Sequence, residues 1–223
     1  MVRDIMTKRE RIELARKSRD SETLDRLSRD KNVDVREVVA ENSNTPVEIL
    51  DRLSRDEYRV VRFEVALNLN TSVDTLDRLS RDEDPDVRWG VAENPNTLVE
   101  VLARLSRDKD VEVRRKVAEN PNTPVEVLDQ LSGDKDFWVR NWVAQNRNAS
   151  VESLERLSGD KSLFVRSAVA KNPNTSIGIL DRLSGDKDII VRLDVASNPK
   201  WNAIKELGLL DVARLASKWL NIL

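Results

Sequence analysis

The sequence predicts an all-α fold, an α-solenoid of about seven two-helix repeats closed by helical caps. Three observations carry this. The string Leu-x-x-Leu-Ser-x-Asp begins at Leu24, Leu50, Leu76, Leu102, Leu128, Leu154 and Leu180. A second string, Val-Arg-x-x-Val-Ala-x-Asn, begins at Val35, Val61, Val87, Val113, Val139, Val165 and Val191, and every step in both series is 26 residues. No segment sustains the apolar–polar alternation of a strand, so no sheet is expected. A helix pair this short cannot bury its apolar face alone, and stacking neighbours supply the missing core.

The elements follow in order. Residues 1–20 form an N-terminal cap, a degenerate helix with Ile12, Leu14 and Ala15 on its apolar side. Residues 21–200 hold seven 26-residue repeats. In each, helix A begins at a site such as Thr45-Pro46-Val47-Glu48, which reads as N-cap, first helical position and capping box. Thr71, Thr97 and Thr123 open the next helices in the same way, and at Ala149 the neighbouring Ser150 stands in. Val47, Leu50 and Leu53 fall on one face. Helix B takes Asn32, Asp84, Asp110, Asp136, Ser162 and Asp188 as N-caps, with Tyr58 the exception. Its buried side is of the type Val113, Val117, Ala118. It stops at Asn, often Asn-Pro, where Asn tolerates the left-handed cap conformation. Residues 201–223 leave the repeat. Their Leu209, Leu210, Val212, Ala213, Leu215, Ala216, Trp219 and Leu220 predict an amphipathic C-terminal capping helix. The same helix offers a surface for weak self-association of an otherwise monomeric chain.

Composition narrows the function. The 223 residues carry 38 Lys+Arg against 40 Asp+Glu, a net charge of −2. A general polyanion binder needs a clear positive excess. The absence of Cys and His excludes disulfides, iron–sulfur clusters, His or Cys metal sites, cysteine nucleophiles and His-based triads. An all-carboxylate site stays open. No cofactor is expected, no membrane span is visible, and the charged N-terminus lacks a signal-peptide core, so the expected location is cytoplasmic. Abundant Arg and Glu make thermostability through ion-pair networks an expectation.

Several positions repeat without change and read as scaffold. One ladder runs Asp56, Asp82, Asp108, Asp134, Asp160 and another Arg62, Arg88, Arg114, Arg140, Arg166, continued at both ends by Asp30, Arg36, Asp186 and Arg192. One reading is a repeating charged binding strip for phosphates or a basic ligand; the other is a structural network, for which bidentate Arg–carboxylate pairs are suited, in which each Asp takes bonds from the start of helix B and from an Arg of its own or the next repeat. The Asn series from Asn42 to Asn198 reads as helix-end structure. Arg26, Arg52, Arg78, Arg104, Arg156 and Arg182 on helix A read as a solvated, charge-balanced outer face.

The repeats disagree most along one stripe of helix B, at positions of the type 138, 141, 142 and 145. It holds Phe63, Trp89, Trp138, Trp142 and Phe164 in a chain with only 4% aromatic residues, together with Arg115, Lys116 and Asn141. Trp and Arg are favoured in binding hot spots. An invariant scaffold with a variable aromatic stripe is the pattern of a recognition surface. The competing reading, that these rings fill gaps between repeats, weighs most on Trp138 and Phe164.

The segment Val113 to Asp134 reads almost straight through Val-Arg-x-x-Val-Ala-x-Asn-Pro-x-Thr-Pro-x-x-x-Leu-x-x-Leu-x-x-Asp, and on it the chain resembles the leucine-rich repeat variant family. The Asp108…Val113-Arg114 element is similar to the HEAT-repeat signature. The resemblance implies a right-handed superhelix of short helix pairs with helix B lining the concave side. Some members of that family carry a cysteine-ligated iron–sulfur domain, which a chain without cysteine lacks. The best-supported function is a non-enzymatic scaffold that binds a protein or peptide through the variable concave face. Two alternatives are a HEAT-like nucleic-acid binder, against which the acids of the stripe argue, and an engineered or purely structural array with no dedicated ligand. An enzyme would need a catalytic motif that breaks the repeat, and none is visible.

Overall fold

The structure, a computed structural model, describes residues 6–206. Among the described residues it contains sixteen α-helices and no strand. They fall in two compact units, one reaching Asn120 and the other starting at Pro121.

The first unit opens with α1 (Lys8–Lys17), followed by four helix pairs: α2 (Ser21–Leu27) with α3 (Val33–Glu41), α4 (Val47–Leu53) with α5 (Arg59–Leu67), α6 (Val73–Leu79) with α7 (Pro85–Glu93), and α8 (Val99–Leu105) with α9 (Val111–Glu119). The second unit contains three pairs: α10 (Val125–Leu131) with α11 (Phe137–Gln145), α12 (Val151–Leu157) with α13 (Leu163–Lys171), and α14 (Ile177–Ser184) with α15 (Ile189–Ser197). Helix α16 (Pro199–Glu206) then packs on α14 and α15, with Trp201 buried. The capping helix expected over 201–223 is described only as far as Glu206, and its start lies at Pro199. Its Leu209-to-Leu220 apolar side lies outside the described residues, as does the self-association surface placed on it.

Within each unit the B helices form the closely packed row, α3 on α5 on α7 on α9 and α11 on α13 on α15. The core is the repeated set itself. Leu24, Leu50, Leu102, Leu128, Leu154 and Leu180 are sealed from solvent, as are Val35, Val61, Val87, Val113, Val139, Val165 and Val191. Burying a Leu or Val side chain contributes roughly 1.5–3 kcal/mol, and each repeat adds the same set to its neighbour's. Helix α1 acts as an incomplete B helix: it packs on α3, buries Ala15, and Arg11 pairs with Asp30 at 2.6 Å as Arg36 does with Asp56.

Three local expectations are corrected. Thr45, Thr71, Thr97 and Thr123 are not N-caps of helix A. They are buried, as is Thr175 in the last repeat, and the hydroxyls of Thr45, Thr71, Thr97 and Thr175 donate at 2.6 Å to a carbonyl at the end of the preceding helix B, from Val39, Val65, Val91 and Val169. The N-cap is the next residue, and Asp20, Ser72, Ser150 and Ser176 make a side-chain cap bond at that position. Val47 consequently sits at the first helical position and is 43% exposed, while Ile49 takes its place in the core. Finally, the Asn that ends helix B is not left-handed. Asn68 has φ −67° and ψ 126°, and Asn94 φ −67° and ψ 123°, both extended.

The Asn is there for its side chain. The last carbonyls of a helix have no partner inside it. Asn68 Nδ2 donates to Ala40 O at 2.7 Å and Asn42 O at 3.0 Å, and Asn94 Nδ2 to Ala66 O at 2.8 Å and Asn68 O at 3.1 Å. The Asn94 carbonyl group Oδ1 accepts from the Asn96 amide. Asn42, Asn120, Asn172 and Asn198 make the same 2.7 Å bond to Ala15, Ala92, Ala144 and Ala170. Each amide thus finishes the helix of the repeat before it. A second amide two residues on does related work from the surface, as when Asn96 Nδ2 donates to Leu69 O at 2.8 Å.

The Arg–Asp ladder staples the other end of helix B. Arg62 Nε and Nη2 donate to Asp82 at 2.6 and 2.9 Å, Arg88 to Asp108 at 2.7 and 2.9 Å, Arg140 to Asp160 at 2.6 and 3.1 Å, and Arg166 to Asp186 at 2.7 and 2.9 Å. The third nitrogen donates to the carbonyl of the Asp in its own repeat, Arg62 to Asp56 O and Arg114 to Asp108 O, both at 2.8 Å. Each Asp Oδ1 also accepts the amide of the helix-B N-cap, as Asp82 does from Asp84 and Asp134 from Asp136. Burial on its own would push the Asp108 and Asp160 carboxyls upward. Hydrogen bonds from Arg88 and Arg140, the Asp110 and Ser162 amides and the attraction of nearby cations together outweigh it and hold both below the ordinary 3.8.

Two predictions follow from these ladders. Asn94→Gly is expected to destabilise the chain by about 2–4 kcal/mol in urea unfolding, because it orphans buried carbonyls. A left-handed cap would instead favour Gly, so a neutral or stabilising result would sink this account. Arg88→Ala, which strands Asp108, is expected to cost about 3–5 kcal/mol near neutral pH. Since the folded Asp108 carboxyl lies below its unfolded value, the pair's contribution is complete above that value and disappears as pH falls through the folded one. The gap between wild type and variant should therefore narrow below about pH 4, read by denaturant titrations across pH.

Candidate functional site

The stripe positions of the B helices face out of the core, and each unit carries a groove along them. In the first unit the groove has a volume of about 500 Å³ and is lined by Glu37 of α3, Arg59, Val60, Phe63 and Glu64 of α5, Asp86 and Trp89 of α7 and Glu112 of α9. Phe63 and Trp89 form its floor, with ring centroids 6.0 Å apart and planes tilted by 31°. Gly90 makes this possible. A Cβ on Gly90 would meet Ala66 Cβ at 3.1 Å and Phe63 Cδ2 at 3.4 Å. The other repeats carry Val38, Glu64, Lys116, Trp142, Ala168 or Asp194 at that position.

Charge is arranged around this floor. Lys116 Nζ stands 4.6 Å from the Trp89 ring centre and pairs with Glu93 and Glu119, each at 2.6 Å. Burial alone would lower the Lys116 ammonium, but the bonds to Glu119 and Glu93 outweigh it and the group lies above its ordinary 10.5. Arg115 pairs with Glu112 at 2.9 Å, and Arg59 with Asp86 and Asp84. Glu64 is different. Among the described residues its carboxyl has no hydrogen bond or ion pair, and it is raised above 4.5, first by burial and then by repulsion from Glu41 and Glu37. Among the described residues neither Glu41 nor Glu37 has a cationic partner within 4 Å. Among the described residues, Glu37 and Glu64 thus line the aromatic groove without a cationic partner, with Glu41 close by.

In the second unit the groove measures about 380 Å³. Trp138, Asn141 and Gln145 of α11 line it with Phe164, Ser167 and Lys171 of α13 and with Arg147. Trp138 and Phe164 stack, centroids 6.2 Å apart, and Phe137 adds a third ring 4.7 Å from Trp138. Asn141 Nδ2 donates to Phe164 O at 2.9 Å and its Oδ1 accepts from Gln145 at 2.5 Å. Lys171 pairs with Asp194 at 3.1 Å.

The predicted site residues therefore sort as follows. Phe63 and Trp89 come together in one groove, with Lys116 over the Trp89 ring and Arg115 paired with Glu112 of its lining. Trp138, Asn141 and Phe164 come together in the other, and Trp142 is half-buried on the same helix. Trp138 and Phe164, the rings most open to a packing reading, are the outward ones, 46% and 54% exposed. Asn141 is only 7% exposed and is spent on holding the α13 backbone. Sequence reading counted Glu37, Glu41 and Glu64 as general acidity. That they lack partners among the described residues shows only once the neighbours are placed. The helix-A arginines are also more than a solvated face: Arg52, Arg78 and Arg104 reach Asp25, Asp51 and Asp77 of the preceding repeat at 2.6–2.7 Å, and the Ser that ends its helix A.

Among the described residues no group of three carboxylates is placed to hold a metal ion, and no helix is long and apolar enough to cross a membrane. The architecture is that of an α-solenoid repeat protein, helix pairs stacked through their B helices within each unit. The family model described as leucine rich repeat variant matches residues 33–57 and 111–136. A solved leucine-rich repeat variant, described as having a novel repetitive structural motif, is 31% identical over 86% of this chain and 76% of its own, with a TM-score of 0.66. The X-ray structure of E. coli YibA is 17% identical over 88% of this chain and 98% of its own, with a TM-score of 0.49. No curated protein matches the chain. The chain belongs to the leucine-rich repeat variant family.

Glu64→Gln is expected to raise the thermal midpoint at pH 7. A carboxyl raised in the folded state makes the fold lose stability as pH climbs from the unfolded value through the folded one, and the amide removes that loss. The gain should vanish by about pH 3, where Glu64 is protonated in both states. A midpoint that drops at pH 7 would show instead that the carboxylate has a stabilising partner.

Proposed function

We propose that this chain is a non-enzymatic repeat scaffold that binds a protein or peptide segment through its helix-B face. The observation that carries the reading is the split between spent and unspent side chains. The invariant Arg, Asp, Asn and Ser positions, and the recurrent Thr that follows helix B, are consumed in bonds between or within repeats. The variable stripe instead keeps Trp138 and Phe164 outward, and Phe63 and Trp89 line an open groove. Aromatic anchors bury a large area for few rotatable bonds, which is why they dominate binding hot spots. The close B-helix row within each unit supports reading this face as the concave one. Phe63, Trp89, Arg115, Lys116, Trp138, Trp142 and Phe164 are the contact residues in this reading, with Asn141 positioning the α13 backbone beneath them. A nucleic-acid duplex is disfavoured in the first unit, where Glu37, Glu41, Glu64 and Asp86 meet the incoming phosphates.

A random peptide library displayed on phage tests this. Selection on the full chain is expected to enrich related sequences. Their retention should fall at least about tenfold on Phe63→Ala/Trp89→Ala, on Trp138→Ala/Phe164→Ala, or on both, in variants with unchanged helical circular dichroism. Equal retention on all three proteins, or no enrichment on wild type, would overturn the reading.

A further inference from the structure

The groove of the first unit carries more information than a general binding face. Its floor is the Phe63–Trp89 pair, held open by Gly90. Its rim bears Glu37 and Glu64, with Glu41 close enough to repel Glu64. Asp86 and Glu112 are already matched by Arg59 and Arg115, so the uncompensated charge is localised on α3 and α5. The same floor demonstrates its liking for cations, since Lys116 rests over the Trp89 ring. Carboxylates beside an aromatic floor complement one type of side chain best. A guanidinium is planar, stacks on rings and forks onto a carboxylate, while an ammonium does only the charge part.

We propose that this groove recognises an arginine side chain of a basic protein or peptide segment, the guanidinium lying against the Phe63–Trp89 rings and pairing with Glu64 and Glu37. This rests on the helix-B face being a peptide-binding surface, and deepens it by naming the partner's chemistry. Two features of the groove favour arginine over an apolar anchor. An apolar side chain would seal Glu64 from water with no counter-charge, which burial of a lone carboxylate disfavours. It would also leave the like-charged trio of Glu37, Glu41 and Glu64 uncompensated.

The test uses the full chain and short fluorescein-labelled peptides that alternate Gly with Arg, Lys, Gln or Glu, followed by fluorescence anisotropy at about 0.15 M salt, where the Debye length is about 8 Å. Binding is expected for the Arg peptide, more weakly for Lys, and not for Gln or Glu. Glu37→Gln/Glu64→Gln should weaken the Arg peptide about tenfold or more, and Phe63→Ala should do likewise. Glu48→Gln/Glu100→Gln, the same change in charge on exposed helix-A residues, should leave it unchanged. Glutamine keeps the shape of the groove, so a folding failure does not confound the result. Equal weakening by both double variants would show long-range attraction only and overturn the proposal. Failure of the Arg peptide while library-selected peptides still bind through Phe63 and Trp89 would also overturn it, and would leave the broader function standing. Failure of every peptide, selected or designed, would remove both.

Discussion

The carbonyls that close helix B have no partner in their own helix, and the side-chain amide of the next repeat's Asn fills them. That bond decides much else. For Asn68 to reach Ala40 O at 2.7 Å, adjacent B helices must lie close, and the sealed Ala40 and Ala66 provide the small side chains that permit it. Because the amide also bonds the carbonyl of its counterpart in the preceding repeat, the spacing between successive Asn residues is fixed. The Arg–Asp bridge and the helix-A Arg–Ser–Asp bridge are set by the same offset. One inserted residue would misalign all three ladders at that junction. The unbroken 26-residue step is the sequence record of this constraint, and a chain held by nearest-neighbour bonds of this kind gains stability repeat by repeat.

The fold was legible because its signal is repeated. Leu at fixed spacing, Val-Arg-x-x-Val-Ala and the Asp N-caps all specify the helices where the structure has them. What was misread shares one cause. Thr45 and Asn68 each have a role in capping motifs of single helices, and a single-helix reading assigned them those roles. Their actual partners are carbonyls whose proximity depends on how helix A returns over helix B, or on the neighbouring repeat. Local pattern identifies a polar residue at a helix end without saying which end of which helix it serves. Val47 follows from the same slip: with the N-cap one residue later, the apolar face rotates and Ile49 enters the core.

The candidate site was legible as a stripe and not as a geometry. Period 3.6 placed Phe63, Trp89, Trp138 and Phe164 on one face, and they do share it within each unit. Their relative exposure depended on neighbours. Trp89 is partly covered because Lys116 leans across it and Gly90 lets Phe63 approach, whereas α13 offers Trp138 a flat ring to stack on and leaves both rings outward. Packing partners one repeat away are non-local information, invisible to periodicity.

The two grooves also differ in what their charges ask for. Around Trp138 and Phe164 stand Arg147 and Lys171 with amides, a surface suited to acceptor groups. Around Phe63 and Trp89 stand carboxylates. In a scaffold whose ladders pair their carboxylates with Arg nitrogens or backbone amides, a partly buried Glu64 repelled by Glu41 and Glu37 is a local cost to folding. Nothing in the ladders requires it, since the same position is Val38 or Ala168 in other repeats with the Asn and Arg bonds intact. A carboxylate that the fold neither needs nor satisfies is explained when its counter-charge arrives from another molecule. The same logic makes Glu64 the residue at which stability and recognition oppose each other: relieving the repulsion tightens the fold and removes the feature that selects a cationic partner.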